Sequence, residues 1–215
     1  MSHASRETAQ DLIMKAKAGI QQGDFMKETH INFQMGELSE KQGQLAQACQ
    51  YYKRFYLCAR VLNDDIGSAL ALNRLAVVFF KRKKYDLSYM YHGKHAQQAD
   101  ENDRFVAIYN SGISSRLLGE YHRAANEFQE ALDISIPRND FESMSLCYGQ
   151  LAIANLLKGE IEQAQNDFTE CIKIARDLKA IRMQLECLLC MAYISFDKKN
   201  WQQAKHFFDE AYSVS

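Results

Sequence analysis

The chain has 215 residues but only one proline and ten glycines, too few for the many tight turns of a β-sandwich or β-barrel. Its 26 basic and 27 acidic side chains give a formal net charge of −1. This balance excludes the strongly basic surface of a general nucleic-acid-binding protein and the composition of an acidic tail. With 47% hydrophobic and 25% charged residues, the chain has the composition of a folded domain rather than a disordered segment.

The first predicted element is a helix in residues 5–22. Its apolar residues recur at helical spacing and are Ala9, Leu12, Ile13, Ala16 and Ile20. This helix lies where the second helix of a preceding hairpin would be, so residues 1–27 are predicted to form an N-terminal helix that represents part of a repeat.

A short turn followed by a helical pattern then recurs five times. The apolar residue that ends each turn is Leu45, Tyr85, Tyr121, Ile161 or Trp201, at spacings of 40, 36, 40 and 40 residues. A small residue follows three positions later and a ring-bearing residue four positions after that: Ala48 and Tyr52, Ser88 and His92, Ala124 and Phe128, Ala164 and Phe168, Ala204 and Phe208. Another small residue precedes each turn: Gly36, Ala76, Gly112, Ala152 and Ala192.

This pattern predicts an all-α chain of five tandem helix hairpins, at about 28–65, 66–103, 104–140, 141–180 and 181–215. The small residues let the two helices of a hairpin approach closely, and the ring is expected to fill the gap to the next hairpin. A single hairpin buries only part of its apolar surface, so neighbouring hairpins must stack on one another.

Polar residues between the hairpins predict helix starts. Side-chain oxygens in the segments Asn63-Asp64-Asp65, Asp100-Glu101-Asn102-Asp103 and Asn139-Asp140 can accept hydrogen bonds from free backbone N–H groups. Asn139 with Glu142 has the spacing of a capping box. The only proline, Pro137, is predicted to end a helix rather than to kink one.

The repeat resembles the tetratricopeptide repeat. The third hairpin carries the fullest set of consensus residues, namely Gly112, Ala124, Phe128, Ala131 and Pro137, and the resemblance extends over residues 28–215. It implies a right-handed α-solenoid of antiparallel helix hairpins. Repeats of about 40 residues are similar to the long-repeat subclass found in LGN/Pins-type scaffolds, rapsyn, some axonemal proteins and bacterial peptide-pheromone receptors.

The resemblance further implies that the first helices of the hairpins line a concave, partner-binding surface. Arginines there could bind carboxylates, amides could pair with a peptide backbone, and apolar side chains could bury anchors. The residues predicted to bind a partner are Asn73, Arg74, Tyr109, Asn110, Arg116, Gln150, Ile153, Tyr193 and Phe196. The apolar members could equally fill gaps between first helices.

Other reactive residues have simpler interpretations. Cys187 and Cys190 share a helix face without two further ligands nearby, so buried or groove-lining thiols are expected rather than a metal site. His92 and His95 lack a third ligand and predict a polar patch that mild acid could affect. The basic run at residues 81–84 is expected to be a solvated turn. The sequence predicts no catalytic residue, no metal site and no cofactor, because no motif for them is present.

The six cysteines lie in apolar helical stretches, and no secretory signal or bilayer-spanning run is apparent. These features predict a cytoplasmic protein, with a ciliary or cytoskeletal location as the narrower alternative, and neither a membrane nor a nucleic-acid partner.

The sequence thus favours a non-catalytic scaffold that binds a protein or peptide on its concave surface. One alternative is a structural subunit of a large assembly, such as an axoneme or transport complex, that uses its ends and convex face. Another is a peptide-gated regulator. The last helical pattern has no polar capping helix after it, so we also expect either a longer array or a second chain, including a copy of itself, against that face.

Overall fold

The structure, a computed structural model, describes residues 25–214, which form ten α-helices and no strand. The helices are α1 Phe25–Lys41, α2 Leu45–Val61, α3 Asp65–Lys81, α4 Tyr85–Ala96, α5 Glu101–Leu117, α6 Tyr121–Ser135, α7 Phe141–Lys158, α8 Ile161–Asp177, α9 Ile181–Asp197 and α10 Trp201–Val214. The fold class is therefore all-α, as predicted. The helix predicted in residues 5–22 lies outside the described residues.

The turn within each hairpin contains one residue in the left-handed conformation, two positions before the second helix. Glycine occupies this position three times, and Lys83 and Lys199 occupy it with φ of 57° and 59°. Each second helix begins at the residue that the repeat predicts, from Leu45 in α2 to Trp201 in α10. Helix α4 is the short one, with 12 residues where α2 and α8 have 17.

The helix ends confirm all three polar segments as helix starts but not the capping box. The carboxylates of Asp64 and Asp100 accept hydrogen bonds from the backbone N–H groups of Gly67 and Asp103. The predicted capping box at Asn139 is wrong, because Asn139 adopts a left-handed conformation with φ of 51°. The cap is Asp140, whose carboxylate accepts from the Ser143 N–H at 3.1 Å.

Pro137 lies in a short 3₁₀ helix, Ile136–Arg138, that directly follows α6. A proline has no N–H to donate, so this position suits a helix end. The prediction that Pro137 ends a helix is confirmed.

The described residues form two compact units that divide between Ala107 and Ile108, inside α5. In the first unit, the largest core cluster joins α2 to α3 and contains Ala48, Cys49, Tyr52, Phe55, Ala71, Leu75, Val78 and Phe79. In the second unit, one cluster joins α6 to α7, and a larger one joins α7, α8, α9 and α10 around Phe168, Cys171 and Leu188.

Four of the five ring-bearing residues, Tyr52, His92, Phe128 and Phe168, are buried, whereas Phe208 is half-buried. A Cβ atom on Gly36 would lie 2.4 Å from the Tyr52 ring, and one on Gly112 would lie 2.7 Å from the Phe128 ring. These rings therefore cover the glycine of their own hairpin. The same rings also belong to the clusters that join their hairpin to the next one, so the expectation that they fill this gap is confirmed and the contact with the glycine is an addition to it.

Candidate functional site

In the first unit, Arg74 on α3 is engaged inside the protein. Its Nη2 atom lies 3.0 Å from Oε1 of Glu37 on α1, and its guanidinium stacks over the Phe33 ring, 5.6 Å from the centroid. Both side chains of the ion pair are about one-third exposed. A carboxylate from a partner must therefore compete with Glu37 for Arg74. Asn73, the neighbouring predicted residue, is half-buried.

A second polar cluster in the first unit was missed by the sequence analysis. The carboxylate of Glu40 accepts a hydrogen bond from the Tyr52 hydroxyl at 2.9 Å and pairs with Lys81 Nζ at 2.5 Å. Burial raises the pKa of Glu40, but the hydrogen bonds from Lys81 and Tyr52 outweigh it, so the pKa lies below its ordinary value. Burial, reinforced by the Glu40 carboxylate, raises the pKa of Tyr52. The negative charge of Glu40 is thus neutralised by Lys81 within the first unit.

In the second unit, the corresponding first-helix positions carry fewer internal ion pairs. The Nε atom of Arg116 on α5 and the Oε1 atom of Gln150 on α7 are both buried and lack a hydrogen-bond partner among the described residues. Buried polar atoms are normally hydrogen-bonded, because an unpaired one costs free energy. Both side chains are only half-buried, so rotation of either side chain would be needed to present its unpaired atom to a ligand that offers an acceptor to Arg116 or a donor to Gln150.

Three other predicted residues of the second unit are partly buried. Tyr109 packs edge-on against Phe128 with ring centroids 5.7 Å apart, and burial raises the pKa of its hydroxyl to about 12. Ile153 packs against the large core cluster of α7 to α10. The side chain of Asn110 is half-buried, and its carbonyl accepts a hydrogen bond from the Ser114 hydroxyl. Tyr109 and Ile153 therefore contribute to packing, as the alternative interpretation of the apolar residues allowed.

Tyr193 and Phe196 on α9 are instead the exposed members of the predicted set, at 64% and 55% of their surface. The Tyr193 ring stands perpendicular to that of Phe208, with centroids 5.7 Å apart. The Phe196 ring meets Trp201 in a similar edge contact at 5.0 Å. These side chains are held in place by ring contacts yet remain accessible to a partner.

Tyr193 also lines a mainly apolar cleft of about 380 Å³ between α7, α8 and α9. The remaining lining residues are Leu156, Ile161, Cys190, Ile194, Asp197 and Lys198. Lys198 donates a hydrogen bond to Gln165 at 2.9 Å. Asp197 is the acidic side chain among the residues that line the cleft. Cys187 is buried and Cys190 lines the cleft, as expected for the pair.

The structure therefore divides the predicted residues. Asn73 and Arg74 belong to the first unit, and Tyr109, Asn110, Arg116, Gln150, Ile153, Tyr193 and Phe196 belong to the second. Between residues 25 and 214, no three His, Cys, Asp or Glu side chains are grouped to hold a metal ion. None of the helices in that range combines the length and hydropathy of a bilayer-spanning segment.

A tetratricopeptide-repeat family model matches residues 146–178, which include most of α7 and all of α8. The fullest set of consensus residues in the sequence lies one hairpin earlier, at about residues 104–140. No curated protein sequence matches the chain.

Solved structures share the fold at low sequence identity. The apo form of RapI superposes with a TM-score of 0.78 and 17% identity over 87% of this chain and 70% of RapI. BtubC from P. vanneervenii gives 0.76 and 14% over 97% and 91% of the two chains. A Podospora anserina kinesin light chain with nearly identical TPR-like repeats gives 0.70 and 12% over 85% and 92%.

At 12–17% identity, these structures establish a shared fold only. Membership of the long-repeat subclass stays a prediction. The matched repeat in α7 and α8 recurs as helix hairpins along the described residues, in the arrangement of these solved structures. Residues 146–178 thus match a tetratricopeptide repeat, and the described helices have the fold of tetratricopeptide-repeat-like solved structures.

Proposed function

We propose that the chain is a non-catalytic scaffold that binds a peptide segment of a partner protein on the first helices of the second unit. The observation that carries the proposal is the cleft beside Tyr193, together with the unpaired buried atoms of Arg116 and Gln150. An apolar cleft with a few directed polar groups is the usual form of a binding site.

The chemistry of these residues describes the peptide. An aliphatic or aromatic side chain would enter the cleft and contact Tyr193, since aromatic side chains contribute strongly to binding energy. Elsewhere along the first helices, a carbonyl or carboxylate oxygen would accept from Arg116, and a backbone N–H would donate to Gln150. The first unit contributes less to this proposal, because Arg74 is already paired with Glu37.

The test is to select peptides from a random library on the wild-type chain and to measure their affinity by fluorescence anisotropy. Tyr193→Ala and Arg116→Gln should each weaken a selected peptide. Arg182→Gln is the matched control, because Arg182 on α9 is 93% exposed and pairs only with Glu186 on its own helix. If the selected peptides bind Tyr193→Ala and Arg116→Gln as tightly as wild type, the proposed site is wrong.

The structural-subunit alternative keeps support from one observation. Helix α10 exposes Trp201 and Tyr212, which are not among the residues that line the cleft, and such exposed rings suit permanent assembly. The cytoplasmic location and the association with cilia stay predictions from the sequence.

A further inference from the structure

Helix α10 carries an exposed stripe that we call the α10 face. It consists of Trp201, Lys205, Phe208 and Tyr212, which recur every three or four residues and so lie on one side of the helix. Trp201 is 57% exposed and Tyr212 is 85% exposed. Ala204 and Ala211, on the inward side of the same helix, are buried.

The repeat shows how unusual this exposure is. Forty residues earlier, the same positions of α8 are Ile161, Gln165, Phe168 and Ile172. There the neighbouring helix α9 covers the stripe: Phe168 and Ile172 are buried in the cluster that α8 shares with α9, and Lys198 donates to Gln165. Among the described residues, no helix takes the equivalent place over α10.

The exposed aromatic surface extends from α10 onto α9. Tyr193 touches Phe208 and Phe196 touches Trp201 through edge-on ring contacts, so two rings of α9 each adjoin a ring of the α10 face. Large contiguous apolar patches are uncommon on monomers and mark interaction sites. Tryptophan and tyrosine are also the residues that most often dominate interface energies.

The charges on α10 indicate which partner fits. Lys205 and Asp209 lie one helical turn apart, and both are exposed. If two α10 helices pack antiparallel about a twofold axis near residue 207, Lys205 of each copy faces Asp209 of the other. The same arrangement brings Trp201 of one copy close to Tyr212 of the other. A twofold interface requires this kind of self-complementary surface.

We propose that the α10 face is a homodimer interface, in which a second copy of this chain packs its own α10 antiparallel against it. Covering the four rings that are more than half exposed would remove on the order of 600 Å² per copy, since each ring buries about 150–250 Å². That area is at the lower end of specific interfaces, so the dimer is expected to be of moderate affinity. The net charge of −1 gives two copies little reason to repel each other.

The test uses the full chain in analytical ultracentrifugation from about 1 to about 200 µM, a range that brackets micromolar dissociation constants. Trp201 is the only tryptophan, so its emission reports the interface directly. The expected result is a monomer–dimer equilibrium with a blue shift of the emission as concentration rises. A chain that stays monomeric with constant emission overturns the proposal and leaves the face to a different protein or a further helix.

Variants then test the geometry. Tyr212→Glu should weaken dimerisation about tenfold or more, because it places a charge in the buried patch. Ile66→Glu on α3 is the matched control, since Ile66 is 84% exposed, and its dimerisation should equal wild type. If Tyr212→Glu also dimerises like wild type, the dimer uses another surface and the proposal is wrong.

The charge pair gives a test that a heterologous partner could not mimic. Lys205→Asp and Asp209→Lys should each weaken dimerisation, because like charges then face each other across the twofold axis. The double variant with both changes should recover it, because the pairing is restored with exchanged signs. Helical circular dichroism confirms that each variant is folded, and a folded double variant that stays as weak as the single variants refutes the antiparallel pairing.

Discussion

His92, one of two buried histidines in α4, should make the first unit sensitive to mild acid. His92 is 2% exposed, and its Nδ1 atom has no hydrogen-bond partner among the described residues. Burial, and to a lesser degree the neighbouring His95, lowers the pKa of His92 from 6.5 to about 4. Burial also lowers the pKa of His95, although Asp103 and Asp100 oppose this effect.

The sign and size of the effect follow from proton linkage. Between pH 6.5 and about 4, the unfolded chain binds a proton at His92 and the folded chain does not, so the free energy of unfolding falls as the pH falls. The loss from His92 is about 2 kcal/mol at pH 5 and approaches about 3 kcal/mol near pH 4. Above pH 6.5 this contribution to stability is fully present.

The assay is urea unfolding followed by circular dichroism at pH 7.5 and at pH 5. His92→Phe places the repeat's usual ring in the same column and should remove about 2 kcal/mol of the pH-dependent loss. His122→Phe, at an exposed position of α6, should keep the wild-type loss. An equal loss in wild type and His92→Phe would refute the reasoning, because titration of the carboxylates is common to both proteins.

Three further predictions concern the hairpins, and urea unfolding checks each. Gly112→Ala should destabilise the second unit by about 1–3 kcal/mol, because its Cβ would meet the Phe128 ring. In Gly93→Ala in α4, the added Cβ would have no described atom within 4 Å, so this variant should instead be more stable by about 0.5–1 kcal/mol. A change of the same sign in the unfolding free energies of Gly112→Ala and Gly93→Ala would contradict the packing argument. Lys199→Gly should stabilise by up to about 1 kcal/mol, because Lys199 has a φ of 59°, and a loss of stability would show that the turn is not strained. Asp140→Ala should cost about 1 kcal/mol through loss of the cap, and no change would mean that the Asp140 carboxylate does not stabilise α7.

The sequence predicted the second-helix starts well because their cause is local. A residue in the left-handed conformation two positions before Tyr85 or Trp201 reverses the chain direction. The residue types in that turn recur along the sequence, so they indicate where the second helix begins. The neighbours of each ring were harder to predict. Tyr52 reaches back to Gly36 in its own hairpin, and this depends on side-chain direction and helix distance rather than on spacing.

The candidate site was predictable only in part for a similar reason. Tyr193, one of the residues that the repeat predicts to bind a partner, is exposed and lines the cleft. The repeat pattern does not predict that Arg74 pairs with Glu37, which lies 37 residues away in the sequence. It also does not predict that Glu40 accepts a hydrogen bond from Tyr52 and pairs with Lys81. The Arg74–Glu37 and Lys81–Glu40 pairs join first helices of neighbouring hairpins, and the Tyr52–Glu40 pair joins the two helices of one hairpin. The periodicity of the repeat gives the position of each residue but not the contacts between side chains.

The short helix α4 shows how this chain accommodates differences in repeat length. The spacing from Tyr85 to Tyr121 is four residues below the others, and α4 is about one turn shorter than α2. Ser88 and His92 keep their places after the start of α4 and are buried, so the difference falls at the end of the helix, and four residues correspond to slightly more than one full rotation. Insertions or deletions of about one turn should therefore be tolerated in the second helices, whereas changes of two residues would rotate the apolar stripe away from the core.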